Sequence, residues 1–251
     1  MAPPKLLILG GTSDAIKLAH ALIRRFGDRL TVISSLAGRT ENPAEIPGLV
    51  RRGGFGGVDG LVDYLREQAI DFVVDASHPF AATISRHGQE ACERLGLPRL
   101  TLLRPDWTRL AGERRFMVPD MTAAATRLSK ISAQRILVTT GAKDLESLAS
   151  VPRAWFLIRL IEPIAEPLPL PSHALIFARG PFTSAGERKV MVEHDIDTLL
   201  TKDSGGHATF GKIVAARDLG LPVVMLARPD IIAGHSANTP DAVLDWLETK
   251  L

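Results

Sequence analysis

A chain of 251 residues with 45% apolar and 23% charged residues has the size and balance of one large folded domain or two small ones, which excludes a disordered or fibrous protein. The net charge is only +2, and the arginine pairs at 24–25, 51–52 and 114–115 are scattered, so no basic stripe marks a nucleic-acid surface. No apolar run approaches the ~20 residues of a membrane span, the run after MAPPK is too short for a secretory leader, and the one cysteine permits no disulfide framework; the sequence reads as that of a cytoplasmic protein.

In chain order, KLLILG predicts a strand, followed by a helix over 13–26. RLTVISS reads as a second strand, DGLVDYLREQ as a helix and DFVVDAS as a strand. PFAATISRHGQEACERLG is helical, and its Cys92 reads as a small buried thiol rather than a nucleophile. LPRLTLLRP is again a strand. The second half repeats the alternation. MTAAATRLSKI is helical, RILVTTG a strand, AKDLESLA a helix, and WFLIRLI and HALIFARG are strands. A helix over FTSAGERKVMVEHD leads to the strand in TLLTKDSGG. TFGKIVAARDLG, LPVVMLARP and TPDAVLDWLETK then read as helix, strand and helix. Strands that are apolar throughout, joined by helices, form parallel sheets covered on both faces. About ten of them imply an α/β protein with two doubly wound units, 1–115 and 116–251, closely packed with a cleft between them. No Pro/Gly/Ser-rich linker marks the boundary, so elements could be shared.

Ligands of such sheets bind beyond the carboxyl ends of the strands, which directs attention to the loop at the end of each strand. After the first comes Gly10-Gly11-Thr12-Ser13-Asp14. Glycine permits a sharp turn and close approach to a phosphate, and the helix start offers free N–H groups. Thr12 or Ser13 could cap that helix or bind phosphate, and Asp14 suits the dipole and would also lie near a reacting group. The motif is not G-x-G-x-x-G, and a simple capped turn is the plain alternative. After the second strand come Ser35, Arg39 and Thr40 where an NAD site would place a carboxylate. Hydroxyls and a guanidinium suit a 2′-phosphate, which favours NADP. After the third come Ser77, His78 and Pro79. Ser77 is placed to cap a helix opening at Pro79, and His78 would stand at the mouth of a cleft. Thr140-Gly141 and Lys202-Asp203-Ser204-Gly205-Gly206 end two strands of the second half in the same way. The seven histidines show no metal-binding spacing. Tyr64 is the only tyrosine, with Gln68 four residues on, so the Tyr-x-x-x-Lys pair of short-chain reductases is absent.

ILGGTSDA, SLAGRT, GGFGG, VVDASHPFA, LLRPDW, LVTTGAKDL, LLTKDSGG and TFGKIVAARDLGLPVVMLARP, in that order and over nearly the whole chain, resemble the precorrin-6A (precorrin-6x) reductase family of corrin-ring biosynthesis. The resemblance implies two Rossmann-like subdomains, NADPH mainly on the first, and a polycarboxylated tetrapyrrole as substrate. It implies hydride transfer to one carbon of a ring double bond and proton delivery to its neighbour, giving precorrin-6B. By position, Gly10, Gly11, Thr12 and Ser13 would hold the pyrophosphate, and Ser35, Arg39 and Thr40 the 2′-phosphate end. Ser77, His78 and Pro79 would flank the nicotinamide. Thr140, Gly141, Lys202, Ser204, Gly205 and Gly206 would line the substrate or the far side of the cofactor. Asp14, His78 and Lys202 are the candidate proton donors, with ordered water a fourth. A cobalt-containing substrate is the near alternative, and a two-lobed nucleotide- or anion-binding protein without chemistry the distant one. No nucleic acid, membrane or metal partner is implied, and a monomer or homodimer fits equally.

Overall fold

The computed structural model describes residues 2–38, 45–164, 167–229 and 234–251. The chain divides into two units, one of residues 1–105 with 229–251 and one of residues 106–228.

In the first unit, β1 (Lys5–Leu9) runs into α1 (Ser13–Phe26), β2 (Thr31–Leu36) and β3 (Leu49–Arg52). Then come α2 (Val58–Glu67), β4 (Phe72–Asp75), α3 (Ala82–Leu95) and β5 (Arg99–Leu102). The boundaries of α1 arise from local chemistry. Thr12 caps it, Asp14 lies in its first turn, Arg24 and Arg25 lie in its last, and Gly27 ends it at φ +52°. Its apolar stripe, Ala15, Leu18, Ala19, Leu22 and Phe26, keeps the 3.6-residue period and is buried. Along β1 the two-residue period divides the core. Leu6 and Ile8 join α1 on one face, and Leu7 and Leu9 join α2 and α3 on the other. Each such fully buried leucine contributes about 1.5–3 kcal/mol of transfer free energy.

The second unit contains β6 (Arg114–Val118), α4 (Met121–Lys130), β7 (Arg135–Val138), β8 (Trp155–Leu160) and β9 (His173–Phe177). It continues with α5 (Ser184–Glu193), β10 (Thr198–Lys202), α6 (Gly211–Asp218) and β11 (Pro222–Leu226). The chain then returns to the first unit as β12 (Ser236–Ala237) and α7 (Pro240–Glu248). This return departs from the sequence-based division at 115/116. β12 finds its strand partner in β5, and α7 buries Val243 and Leu247 in the same cluster as Leu18 and Leu22 of α1. The helix expected at AKDLESLA is a 3-10 turn, Leu145–Ser150, entered through Asp144 at φ +61° without a side-chain cap.

Both sheets have six strands, and every pairing is parallel. The first has the order β3-β2-β1-β4-β5-β12, the doubly wound dinucleotide-binding order with its switch point between β1 and β4. The second has the order β6-β11-β10-β7-β8-β9, with its reversal between β7 and β10. Two doubly wound α/β units are therefore present, with the second inserted between the fifth and sixth strands of the first.

Candidate functional site

The switch point of the first unit is formed by the loops after β1 and β4. Leu9 is in register with both Ser35 and Asp75, so Gly10 emerges level with the ends of β2 and β4. Its N–H donates to the Ser35 carbonyl at 3.0 Å. A Cβ at Gly10 would meet Ala15 Cβ and Ser35 O at 3.4 Å, so the turn is closely packed on the protein side. Gly11 has φ +101° and open space around the position a Cβ would take, so backbone conformation rather than crowding demands glycine there. Thr12 is buried. Its Oγ1 accepts the Ala15 N–H at 3.1 Å and donates its only proton to the Ala76 carbonyl at 2.9 Å. A bound anion would therefore meet the backbone of Thr12, not its hydroxyl, whereas Ser13 is exposed. Asp14 is ion-paired with Arg104. That partner is remote in sequence, just before the chain leaves the first unit, and no local pattern announced it.

At the end of β2, Ser34 and Ser35 are both buried, and among the described residues the Ser34 hydroxyl has no hydrogen-bond partner. No carboxylate occupies the strand end; the residues are Ser34, Ser35 and Leu36. Arg39 and Thr40 lie outside the described residues. The GGFGG loop comes after β3 and is tied to β2 by Gly53 N–H donating to Leu36 O at 2.9 Å. The Arg51 guanidinium donates to the carbonyls of Gly53 and Gly54 and stacks on Phe55, 3.7 Å from the ring centroid.

After β4, Asp75 is buried and accepts the Ser77 N–H at 3.1 Å, with Arg99 3.6 Å away as counter-charge. Ser77 does not cap a helix. α3 opens at Ala82 with no side-chain cap, and the Ser77 hydroxyl meets that of Ser85 at 3.1 Å. His78 Nδ1 accepts the Phe80 N–H at 3.2 Å across Pro79. A nitrogen that accepts carries no proton, so the neutral ring holds its hydrogen on Nε2.

In the second unit the ends of β7 and β10 are joined directly. Lys202 Nζ donates to Thr140 O at 2.7 Å, and the Thr139 hydroxyl donates to that of Thr201 at 3.0 Å. Burial pulls the Lys202 ammonium below the usual lysine range, with Asp144 opposing the shift. Gly141, Gly205 and Gly206 all have positive φ, at +85°, +62° and +70°. Gly206 O accepts the Trp107 indole N–H at 2.6 Å. Asp203 is buried, its Oδ1 without a partner among the described residues, and burial raises its carboxyl above the usual range against the pull of Arg228. Thr140, Gly141, Lys202, Ser204, Gly205 and Gly206 thus gather at this switch point, and Gly10, Gly11, Thr12, Ser13, Asp14, Ser35, Ser77, His78 and Pro79 at strand ends of the first unit. Arg104, Trp107 and Asp203 join them unanticipated; each stands inside a recognisable motif, but its partners are remote in sequence. Among the described residues no group of three or more His, Cys, Asp or Glu side chains is placed to hold a metal ion. No helix among them is long and apolar enough to cross a membrane.

Residues 5–248 match the family model described as precorrin-6x reductase CbiJ/CobK. The chain is 44% identical to the precorrin-6A reductase of Rhodococcus erythropolis over 98% of both chains. It is 39% identical to that of Rhodobacter capsulatus over 97% of this chain and 95% of the relative. A solved structure described as CobK precorrin-6A reductase superposes with a TM-score of 0.92 at 38% identity, covering 98% of this chain and 96% of that one.

Proposed function

Since the chain belongs to the precorrin-6x reductase family, and so reduces a ring carbon–carbon double bond of the tetrapyrrole precorrin-6A, we propose that NADPH is its reductant and is held by the first unit. The observation that carries this reading is the Gly10–Gly11 turn at the β1/β4 switch point. It opens onto the capped N-terminus of α1, and the neighbouring strand ends in buried serines rather than a carboxylate. The residues present fit the group. The turn has no Cβ on its open side, and the Ser34 hydroxyl beneath the strand end has no partner among the described residues.

Gly10, Gly11, Thr12 and Ser13 hold the pyrophosphate, Thr12 through its backbone. Ser35, Arg39 and Thr40 take the 2′-phosphate, for which hydroxyls and a guanidinium are suited and an aspartate is not. Ser77, His78 and Pro79 flank the nicotinamide on a loop fixed from below by Asp75. When bound, NADPH would supply a hydride to one carbon of the double bond. The adjacent carbon then takes a proton, giving precorrin-6B. Asp14, His78 and Lys202 are the groups proposed to hold or deliver it. His78 stands on that loop with Nδ1 accepting the Phe80 N–H, and burial loosens the proton of the Lys202 ammonium, while Asp14 is engaged by Arg104. Thr140, Gly141, Ser204, Gly205 and Gly206 line the substrate, or the far side of the cofactor, with backbone N–H groups.

Titration with NADPH and with NADH, monitored by nicotinamide fluorescence and completed by addition of precorrin-6A, tests the reading. Preferential binding of NADPH and substrate-dependent loss of its absorbance are expected, and Arg39→Ala should raise KM for NADPH alone. Equal affinity for the two nucleotides would overturn the 2′-phosphate assignment. No binding of either would overturn the cofactor.

A further inference from the structure

Two glycines in succession give the Ser204–Gly206 loop the freest backbone a chain can have. Gly205 and Gly206 both hold positive φ, at +62° and +70°, and neither carries a side chain to select one orientation of the peptide that follows. Turning that peptide over exchanges an outward N–H for an outward carbonyl, and so a donor for an acceptor. Trp107 makes the selection. It is 6% exposed, and its indole N–H donates to Gly206 O at 2.6 Å. A trans peptide is planar, with its C=O and N–H opposed. A Gly206 carbonyl fixed inward on a buried ring therefore sends the His207 N–H the other way, and His207 is exposed. The indole is itself held. Phe210, the residue before α6, packs on the ring with 5.9 Å between centroids. Arg115 donates to Trp107 O at 2.9 Å. Arg115 is in turn gripped by the Glu113 carboxylate, whose side chain is fully buried and also accepts the Leu110 N–H at 3.0 Å. Trp107 thus stands on a fixed base, as a group that orients another must.

We propose that Trp107 is a positioning residue for the reduction of precorrin-6A: its indole N–H sets the Gly206–His207 peptide so that the loop turns a donor toward the tetrapyrrole. This rests on the reading that the Ser204–Gly206 loop lines the substrate. Trp107 acts through the loop and takes no part in hydride or proton transfer. A tryptophan that served packing alone would be replaceable by phenylalanine, which also fills an apolar site with an aromatic ring. A tryptophan whose N–H orients the loop is not replaceable in this way.

The test compares wild type with Trp107→Phe, which keeps a ring against Phe210 and removes the donor. The expected result is a rise in KM for precorrin-6A of about threefold to tenfold, the usual loss for one hydrogen bond. NADPH affinity and kcat at saturating substrate should stay near those of wild type. A folded variant with unchanged KM overturns the proposal, and so does a fall in kcat alone, which would place the indole in the chemistry. A second measurement needs no variant to fold. The chain has three tryptophans; Trp155 opens β8, and Trp246 of α7 packs on Phe72 at the start of β4. In the wild-type chain labelled with 15N, addition of precorrin-6A without reductant should move the Trp107 indole signal, because a ligand on a peptide N–H polarises the carbonyl opposite. The other two indole signals should stay in place. The Gly205 and Gly206 amide signals test the reading beneath. If they stay fixed at saturating precorrin-6A, the loop does not meet the substrate and that reading fails, taking the proposal with it. If they move and the Trp107 signal does not, the tryptophan assignment alone is overturned.

Discussion

Replacing Glu187 by leucine tests how the second unit tolerates charge beneath its switch point. Glu187 is 1% exposed and accepts both Nη groups of Arg159, at 2.6 and 2.9 Å; Nε of that guanidinium already lacks a partner. The substitution deletes two charge-assisted bonds, each worth about 1.5–3 kcal/mol. It also leaves the buried Arg159 guanidinium without its carboxylate. Loss of one member of a buried pair costs about 3–5 kcal/mol, because the remaining charge stays desolvated. That figure should appear as a lowered urea midpoint in unfolding monitored by the fluorescence of Trp107 and Trp155. Removing both charges in Arg159→Met/Glu187→Leu should recover at least half of the loss, since the desolvated guanidinium goes with its partner. A single variant costing less than about 1 kcal/mol would refute the argument. So would a double variant as unstable as the single, which would show that shape rather than charge is being measured.

Thr12→Val should cost about 1–2 kcal/mol in urea unfolding, since it removes both the cap on Ala15 N–H and the tie to Ala76, and should weaken NADPH binding. Ser13→Ala should lower NADPH affinity with stability unchanged, a split that paired unfolding and fluorescence titrations will reveal. Gly60→Ala would set a Cβ 1.8 Å from the Phe55 carbonyl, so the GGFGG loop must lift off α2 and the melting temperature should fall by several degrees. Gly54→Ala meets nothing within 4 Å and serves as the control. Cys92 is buried and its thiol is pushed up to about 12, mainly by that burial. Native protein at pH 8 should resist iodoacetamide over an hour and label fully in urea, as judged by mass spectrometry.

Elements with a strong internal period were readable from sequence. Residues 13–26 carry a cap, an acidic first turn, a basic last turn and a full apolar stripe, and α1 has those limits. β3 was not readable, because LVRR is an edge strand with no fully buried side chain and so shows no apolar run. β12, with two residues, has no pattern at all. The return of the C-terminal segment was hidden for a different reason: pairing with β5 is decided by tertiary contact, and no linker composition marks the crossing. At the strand ends, glycine and hydroxyl residues announced themselves through turn chemistry. The pairs that fix them did not, since Asp14 with Arg104 and Trp107 with Gly206 join residues some 90 or more positions apart.

The chain enters the second unit at Asp106 and leaves it at Arg228, and these two side chains form an ion pair at 2.8 Å. Asp106 is largely exposed, so the pair adds little stability. What it marks is that a folded insert presents its two ends side by side. For the first unit, more than a hundred intervening residues then behave as a short hairpin in the loop-closure entropy of joining β5 to β12. During synthesis the insert emerges whole before the strand and helix that complete the first unit. Its folding is thus the step that brings the C-terminal segment within reach of the open edge at β5 and the uncovered face of α1. A ribosome-bound chain halted shortly after residue 228 should therefore carry a finished second unit and a first unit still susceptible to protease.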